Sequence, residues 1–141
     1  MPLTRDEDIA QLLTEARTIA LVGASDRPDR ASHGVMKFLL AQGYQVTPVN
    51  PVLAGQDLLG KTVVGTLAEA GPVDLIDIFR NSEAAGPIVD EAIKLGAKAV
   101  WMQLGVINPE AAARAEAAGL KVVMDHCPKI EIPRLGIAKV S

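Results

Sequence analysis

The stretch that decides the fold reads Thr18-Ile-Ala-Leu-Val-Gly23-Ala-Ser25-Asp-Arg27-Pro-Asp-Arg30-Ala-Ser32-His33-Gly34. It starts with an apolar run that is too short for a helix and stops at a glycine, which predicts a strand. A polar loop follows and leads into a helical pattern, and the free N–H groups and dipole of a helix start favour negative charge. We therefore predict a strand, a phosphate loop containing Ser25, Arg27, Arg30 and Ser32, and a helix. The alternative is an ordinary surface loop with solvated arginines.

The composition favours one domain without disulfides. A chain of 141 residues can bury a substantial core. Its single cysteine cannot form an internal disulfide, and no segment resembles a signal peptide or a membrane span. The formal net charge of −3 and only four aromatic residues argue against nucleic-acid binding. We expect a cytoplasmic protein with no membrane association.

Strand and helix patterns alternate along the whole chain. Residues 1–17 predict an N-terminal helix, in which Thr4 and Glu7 have the spacing of a capping box. Short apolar runs then alternate with helical patterns five or six times, which is typical of an open α/β sheet with right-handed crossovers. We predict a single Rossmann-like domain over residues 1–141, with a mostly parallel sheet and helices on both faces. Residues 128–141 are expected to form an irregular C-terminal tail. The predicted strands are 18–22, 44–49, 62–64, 74–79, 97–102 and 121–124.

The sequence departs from the pattern of a dinucleotide-binding protein. Ligands of open α/β sheets bind outside the carboxyl ends of the strands. An NAD site there expects G-x-G-x-x-G after the first strand and an acid at the end of the second. Here Gly23 is followed by no glycine until Gly34, and the second strand runs into Asn50-Pro51. An NAD(P)- or nucleotide-dependent enzyme is therefore an alternative and not the first interpretation.

Several segments together resemble a known family, the stand-alone CoA-binding domain proteins. The resemblance extends over residues 15–136 and is most specific at Trp101-Met-Gln-Leu-Gly105. The chain is similar, more distantly, to the N-terminal nucleotide-fold domain of the succinyl-CoA synthetase α subunit. The segments that carry the resemblance are Val22-Gly-Ala-Ser25, Val49-Asn-Pro51, Asp74-Leu-Ile-Asp-Ile-Phe-Arg80, Gly96-Ala-Lys-Ala-Val-Trp-Met-Gln-Leu-Gly105, and Gly119-Leu with Cys127-Pro128.

This resemblance implies coenzyme A as the cofactor, bound at the carboxyl edge of the sheet. The forked guanidinium groups of the loop suit the three phosphate groups of CoA independently of the resemblance. The positions that the resemblance assigns to the phosphates are Gly23, Ala24, Ser25, Arg27, Arg30 and Ser32. Those assigned to adenine and ribose are Val49 and Asn50, those to the middle of the ligand Ile78, Phe79 and Arg80, and those to the pantetheine arm Gln103, Leu104 and Gly105.

Some of these residues also have structural explanations. The alternative interpretation of Gly23 is a residue that only turns the chain. For Arg80 the alternative is an ion pair with an acid such as Asp26 or Glu83, and Trp101 suits the core. Asp77 lies within an apolar strand, where we expect its carboxyl to make a structural hydrogen bond.

No residues form a recognisable catalytic or metal set. Cys127 adjoins His126, but sequence neighbours rarely face each other, and His33 is distant in sequence. A narrower hypothesis is that Cys127 exchanges with the thiol of CoA. The related ligases also need a phosphorylated histidine in a second domain and an ATP-binding subunit, neither of which is expected here.

The function that we predict is therefore non-catalytic binding of CoA or acyl-CoA, with a binding or regulatory role. A third possibility is a subunit of a larger acyl-CoA enzyme, which would dock an unknown protein partner through the apolar tail around Ile130 and Ile132.

Overall fold

A parallel sheet forms the centre of the molecule. The computed structural model describes residues 1–140. The strands of this sheet are β1 (Thr18–Val22), β2 (Gln45–Val49), β5 (Leu75–Ile78), β6 (Ala99–Met102) and β7 (Lys121–Val123). Their order is β2-β1-β5-β6-β7, and every neighbouring pair is parallel. Two short strands, β3 (Asp57–Leu58) and β4 (Lys61–Thr62), form a separate antiparallel pair.

Helices cover both faces of the sheet. They are α1 (Asp6–Glu15), α2 (Ala31–Ala41), α3 (Leu67–Ala70), α4 (Ser82–Leu95), α5 (Pro109–Ala117) and α6 (Pro128–Arg134). One apolar cluster joins α1, α2 and α6 to one face, with Leu13, Met36 and Ile132 buried in it. A second cluster joins α3, α4 and α5 to the other face. These observations confirm the predicted α/β, Rossmann-like class.

The apolar runs became strands because they are buried from both sides. All four residues of β5 and all four of β6 are buried, as are Ile19 to Val22 of β1. Parallel strands between two helix layers have this near-continuous burial. The predicted strand at 62–64 is shorter, since β4 ends at Thr62 and Val64 makes only an isolated bridge with Val49. No helix within residues 1–140 is long and apolar enough to cross a membrane.

The predicted capping box of the first helix is wrong. The cap residue is Arg5 instead of Thr4, it makes no side-chain capping bond, and α1 begins at Asp6. Glu7 instead pairs with the guanidinium of Arg5. Three acids of the first turn, Asp6, Glu7 and Asp8, stabilise the helix start, because their negative charge is attracted by the positive end of the helix dipole.

The predicted irregular tail is also wrong for residues 128–134, which form α6. Pro128 occupies the first helical position, where its fixed φ favours the helix. Ile132 is only 2% exposed within the core. Arg134 binds Asp6 of α1 at 2.8 Å. Tertiary contacts therefore stabilise a short helix whose second proline, Pro133, obscured the pattern. Because Ile132 is buried, it is not part of an exposed docking surface.

Candidate functional site

The order in which the chain adds strands to the sheet reverses between β1 and β5. The chain passes from β1 to β2 on one side, then returns to place β5, β6 and β7 on the other. At this point the loops that leave β1 and β5 diverge and open a crevice, the usual ligand position of open α/β sheets. A cleft of about 890 Å³ lies there. We call it the larger cleft.

The larger cleft brings together ten of the fourteen residues predicted for the site. They come from three strand ends that are far apart in sequence but adjacent in the sheet. These residues are Gly23, Ala24, Ser25, Arg27, Arg30, Ser32, Val49, Asn50, Phe79 and Arg80.

The floor of the larger cleft is formed where the β1 loop packs against neighbouring strand ends. Gly23 has a φ of +92°, and a Cβ there would lie 3.1 Å from the carbonyl oxygen of Phe79. The N–H of Gly23 donates to the Val49 carbonyl at 3.0 Å. The position thus requires glycine for both conformation and packing.

Asn50 fixes the relative position of two loops. Its side-chain Nδ2 donates to the carbonyl of Ala24 at 2.7 Å. Its Oδ1 accepts the N–H of Val52 at 2.8 Å, forming an Asx turn. Asn50 therefore stands where a dinucleotide-binding protein has its ribose-binding acid, and its side chain shapes the cleft.

The start of α2 lies at the larger cleft and has no side-chain cap. Arg30 is the cap residue, it makes no side-chain capping bond, and the first turn contains no acid. Ser32, in that turn, is 6% exposed and lines the cleft. The first N–H groups of a helix lack intrahelical partners. This end of α2 can therefore donate to an anion.

Three arginines surround that helix start. Arg27 makes a 3.6 Å ion pair with Asp29, and both side chains are exposed. Arg80 forms no ion pair with Asp26 or Glu83, or with any other residue within 1–140. The suggested pairing of Arg80 is therefore not observed, and its guanidinium is available to a ligand.

A smaller cleft of about 470 Å³ lies beside the first. The two share Arg30, Ala31 and Phe79 in their linings. Two predicted arm-binding residues, Gln103 and Leu104, line the smaller cleft. Its other residues are mainly apolar, and it also contains Cys127, Lys129 and Ile130.

Two predicted site residues line neither cleft. Ile78 is fully buried in the cluster beneath α4 and α5, on the opposite face from Phe79. Successive side chains of a strand point to opposite faces of the sheet, which places Ile78 on the face opposite Phe79. Gly105 has a φ of +81° and donates its N–H to Asp125 Oδ1 at 2.7 Å. Gly105 therefore shapes the loop between β6 and α5, through its left-handed backbone and its hydrogen bond to Asp125.

The sequence patterns missed several lining residues, of which two groups stand out. One group lines the larger cleft from two segments without clear periodicity, residues 51–53 and residues 65–67. The other depends on α6, which was predicted to be irregular. The first group is Pro51, Val52, Leu53, Gly65, Thr66 and Leu67, and the second is Lys129 and Ile130.

Two buried polar side chains lack hydrogen-bond partners. Both carboxyl oxygens of Asp77 are unpartnered within residues 1–140, so the predicted structural hydrogen bond is wrong. Burial raises the pKa of Asp77 well above its ordinary value of 3.8. The Oε1 of Gln103 is also buried without a partner in this part of the chain. Strand register places Asp77 beside Leu21 and Trp101, which are both fully buried.

Trp101 and the His126-Cys127 pair have structural surroundings. Trp101 is fully buried, as predicted, and its Nε1 donates to the His126 carbonyl at 2.8 Å. The His126 Nδ1 lies 2.8 Å from the Met124 carbonyl, which occupies one ring nitrogen. Cys127 is 6% exposed. These contacts orient the imidazole toward the backbone of its own loop.

Comparisons with known proteins agree with this fold. A sequence model of the family described as "CoA binding domain" matches residues 17–133. The uncharacterized protein YneT of Bacillus subtilis (strain 168) is 39% identical over 124 residues, which are 87% of this chain and 90% of YneT. The structure of a hypothetical protein from Pyrococcus horikoshii OT3 superposes with a TM-score of 0.89 and 39% identity, and covers 96% of both chains.

A larger protein shares the fold. The dinucleotide-forming acetyl-coenzyme A synthetase 1 of Ca. Korarchaeum cryptofilum matches with a TM-score of 0.67 and 24% identity, over 79% of this chain and 26% of its own. At that identity the match concerns the fold. The family match covers most of the chain, and we conclude that this protein belongs to the CoA-binding domain family.

Proposed function

We propose that this protein binds CoA or acyl-CoA across the two clefts and acts as a binding or regulatory module without catalysis of its own. One observation carries the proposal. Three arginines and the start of α2, which no side chain caps, line a single cleft at the point where the strand order reverses. The family to which the chain belongs supports CoA as the ligand.

The phosphates fit best beside the arginines. Arg27, Arg30 and Arg80 line the larger cleft. Among the described residues that line it, the acids are Asp26 and Glu91. The cationic side chains therefore outnumber the acidic ones locally, although the whole chain carries a net charge of −3. Guanidinium groups bind phosphate through paired hydrogen bonds, and helix N–H groups add further donors.

CoA extends from its phosphates in two directions, and the two clefts offer apolar surface to both ends. The wall formed by Pro51, Val52 and Leu53 offers apolar contacts to an adenine ring. In the other direction the smaller cleft offers Phe79 and Leu104 to the pantetheine arm. Phe79 lines both clefts and would lie near the middle of the ligand.

The absence of catalysis is proposed from the chemistry of the linings. Within residues 1–140, neither cleft is lined by a histidine. The imidazole of His126 is engaged with the Met124 carbonyl, and Asp77 is fully buried. A general acid or base must reach a substrate proton, and these groups are poorly placed to do so.

Calorimetry with matched ligands tests this function. We expect CoA and acetyl-CoA to bind, dephospho-CoA to bind more weakly because it lacks the 3′-phosphate, and pantetheine alone to bind weakest. NAD is the competing ligand, since it would be preferred by a dinucleotide enzyme. Tighter binding of NAD than of CoA, or no binding of CoA at millimolar concentration, would contradict the proposal.

A further inference from the structure

Cys127 is the single cysteine of the chain, and it lines the smaller cleft. It is 6% exposed, so bulk solvent reaches it poorly. Pro128 and α6 follow it directly, which fixes its backbone beside the cleft. A molecule seated in the smaller cleft therefore has better access to this thiol than a molecule in free solution.

A second side chain in the same cleft indicates an arm-like ligand. Gln103 is 6% exposed and lines the smaller cleft, and its Oε1 has no hydrogen-bond partner within residues 1–140. Buried polar atoms are normally paired, so an unpaired acceptor at a cleft suggests a donor on the ligand. The amide N–H groups of a pantetheine arm are donors of this kind.

The remaining lining suits the end of such an arm. Phe79, Leu104, Val106 and Ile130 provide apolar contacts, and Leu104 and Ile130 are about half exposed at the surface. Lys129 adds a positive charge, and its Nζ lies 3.6 Å from the position that a Cβ on Gly34 would occupy. This places the ammonium against the first turn of α2.

We propose that Cys127 is a thiol–disulfide exchange site, at which the protein forms a mixed disulfide with CoA when a CoA disulfide occupies the clefts. The inference rests on the proposed CoA function and extends it to a covalent, redox-dependent form of binding. Reduced CoA binds at the same place without a bond.

The exchange balances without another reactant. The Cys127 thiol loses its proton, and the thiolate attacks one sulfur of the CoA disulfide. A new bond forms between Cys127 Sγ and that sulfur as the original S–S bond breaks. The released CoA leaves as a thiolate and takes up a proton. One disulfide is consumed and one is formed, so there is no net oxidation.

Intact-mass measurement of the native protein with CoA disulfide tests this exchange. The expected product is heavier by one CoA less two hydrogens, and dithiothreitol reverses it. Because binding raises the effective concentration of the disulfide, we expect labelling on the order of 10-fold or more faster than with glutathione disulfide. Denatured protein should show no such preference. The Cys127→Ser variant, checked for folding by circular dichroism, should form no adduct.

A second variant links the labelling to the clefts. Arg80→Ala should slow labelling by CoA disulfide and leave labelling by glutathione disulfide unchanged. Equal native rates with the two disulfides would overturn the inference. Calorimetry of the wild-type protein with reduced CoA under a reductant separates the two proposals: binding without an adduct overturns the exchange site alone, whereas absence of both overturns the CoA function as well.

Discussion

Two strand-to-helix junctions of this molecule have the same place in the fold and opposite local chemistry. At the junction of β1 and α2, the cap residue Arg30 makes no capping bond and the first turn has no acid. At the junction of β6 and α5, the Oδ1 of Asn108 accepts a hydrogen bond from the Ala111 N–H at 3.0 Å. Pro109 follows, and the negative charge of Glu110 is attracted by the positive end of the helix dipole.

The difference separates a structural helix start from one available to a ligand. The α5 junction is also tied to α4, because Asn108 Nδ2 donates to the Ser82 carbonyl at 2.9 Å. The start of α5 is thus capped by a side chain of the protein itself. The α2 junction instead faces a cleft of about 890 Å³ with three arginines in its lining. An anion there would supply the charge and acceptors that the sequence provides at α5.

The largest expected effect concerns the arginines of the α2 junction. We expect the combined Arg27→Ala, Arg30→Ala and Arg80→Ala variant to lose about 3 kcal/mol or more of CoA binding free energy, roughly a hundredfold in affinity, because several charge-assisted hydrogen bonds are removed. Calorimetry measures the change. The control is Arg114→Ala on α5, which breaks the 2.8 Å pair with Asp90 and should leave affinity unchanged. Unchanged binding in the triple variant would show that the ligand binds elsewhere.

The second effect concerns Asp77 in β5, whose buried carboxyl has no hydrogen-bond partner within residues 1–140. The Asp77→Leu variant should raise the free energy of unfolding at pH 7 by about 1–3 kcal/mol, since an unpartnered buried carboxyl is removed. The folded-state pKa of Asp77 is raised, so its contribution is most favourable below pH 4 and is lost as the pH rises. Urea denaturation should therefore show the gap between variant and wild type narrowing as the pH falls toward 4. A gap that widens would contradict this.

Asp74 directly precedes β5, and its pKa is shifted in the opposite direction to that of Asp77. Burial acts to raise its pKa, but N–H groups of Arg17 and Thr18 and the Lys98 ammonium outweigh this and lower it. Its stabilising contribution is present above its unfolded pKa and is lost as the pH falls. Asp74→Asn should cost about 1 kcal/mol at pH 7 and less in acid, by the same urea measurement.

A further effect compares one glycine from each junction. Gly23→Ala should destabilise the unliganded protein by about 2–3 kcal/mol, because it combines left-handed strain with a Cβ placed against Phe79. Gly105 has a similar φ of +81° and open space around it, so Gly105→Ala should cost only about 1 kcal/mol. Equal losses in thermal or urea unfolding would show that packing at Gly23 is unimportant.

The smallest effect exchanges the chemistry of the two helix caps. Asn108→Ala should cost about 1 kcal/mol of stability without changing CoA affinity. Arg30→Asp gives α2 the cap that it lacks, since Arg30 already has the extended φ of −84° and ψ of 142°. We expect it to add about 0.5 kcal/mol of stability while weakening CoA binding through charge reversal. Loss of both stability and binding would indicate that Arg30 has a structural role.

The sequence predicted the fold well because its signals are local. Gly23, Gly43 and Gly96 follow apolar runs or helices, and Asn108-Pro109-Glu110 is a local cap sequence at the start of α5. The prediction failed where stability comes from contacts distant in sequence. Residues 128–134 are helical because Ile132 enters the core and Arg134 reaches Asp6, 128 residues away.

The candidate site was predicted by residue type more accurately than by side-chain direction. The larger cleft collects Arg27, Arg30 and Arg80 as expected, since parallel strand ends meet at one edge. Ile78 was included with Phe79 although the two side chains face opposite sides of the sheet. The far wall at residues 51–53 could not be read from an irregular loop.

The sequence by itself determined the alternating strands and helices, the polar loop after β1, and the absence of both the glycine pattern and the acid of a dinucleotide site. These features depend on neighbours along the chain, where hydrogen-bonding and conformational preferences are local. Only the tertiary structure decided that the start of α2 is uncapped beside three arginines, that Asp77 is buried without a partner, and that Cys127 and Gln103 share a cleft. Burial and cleft shape arise from the packing of distant segments, which no local pattern contains.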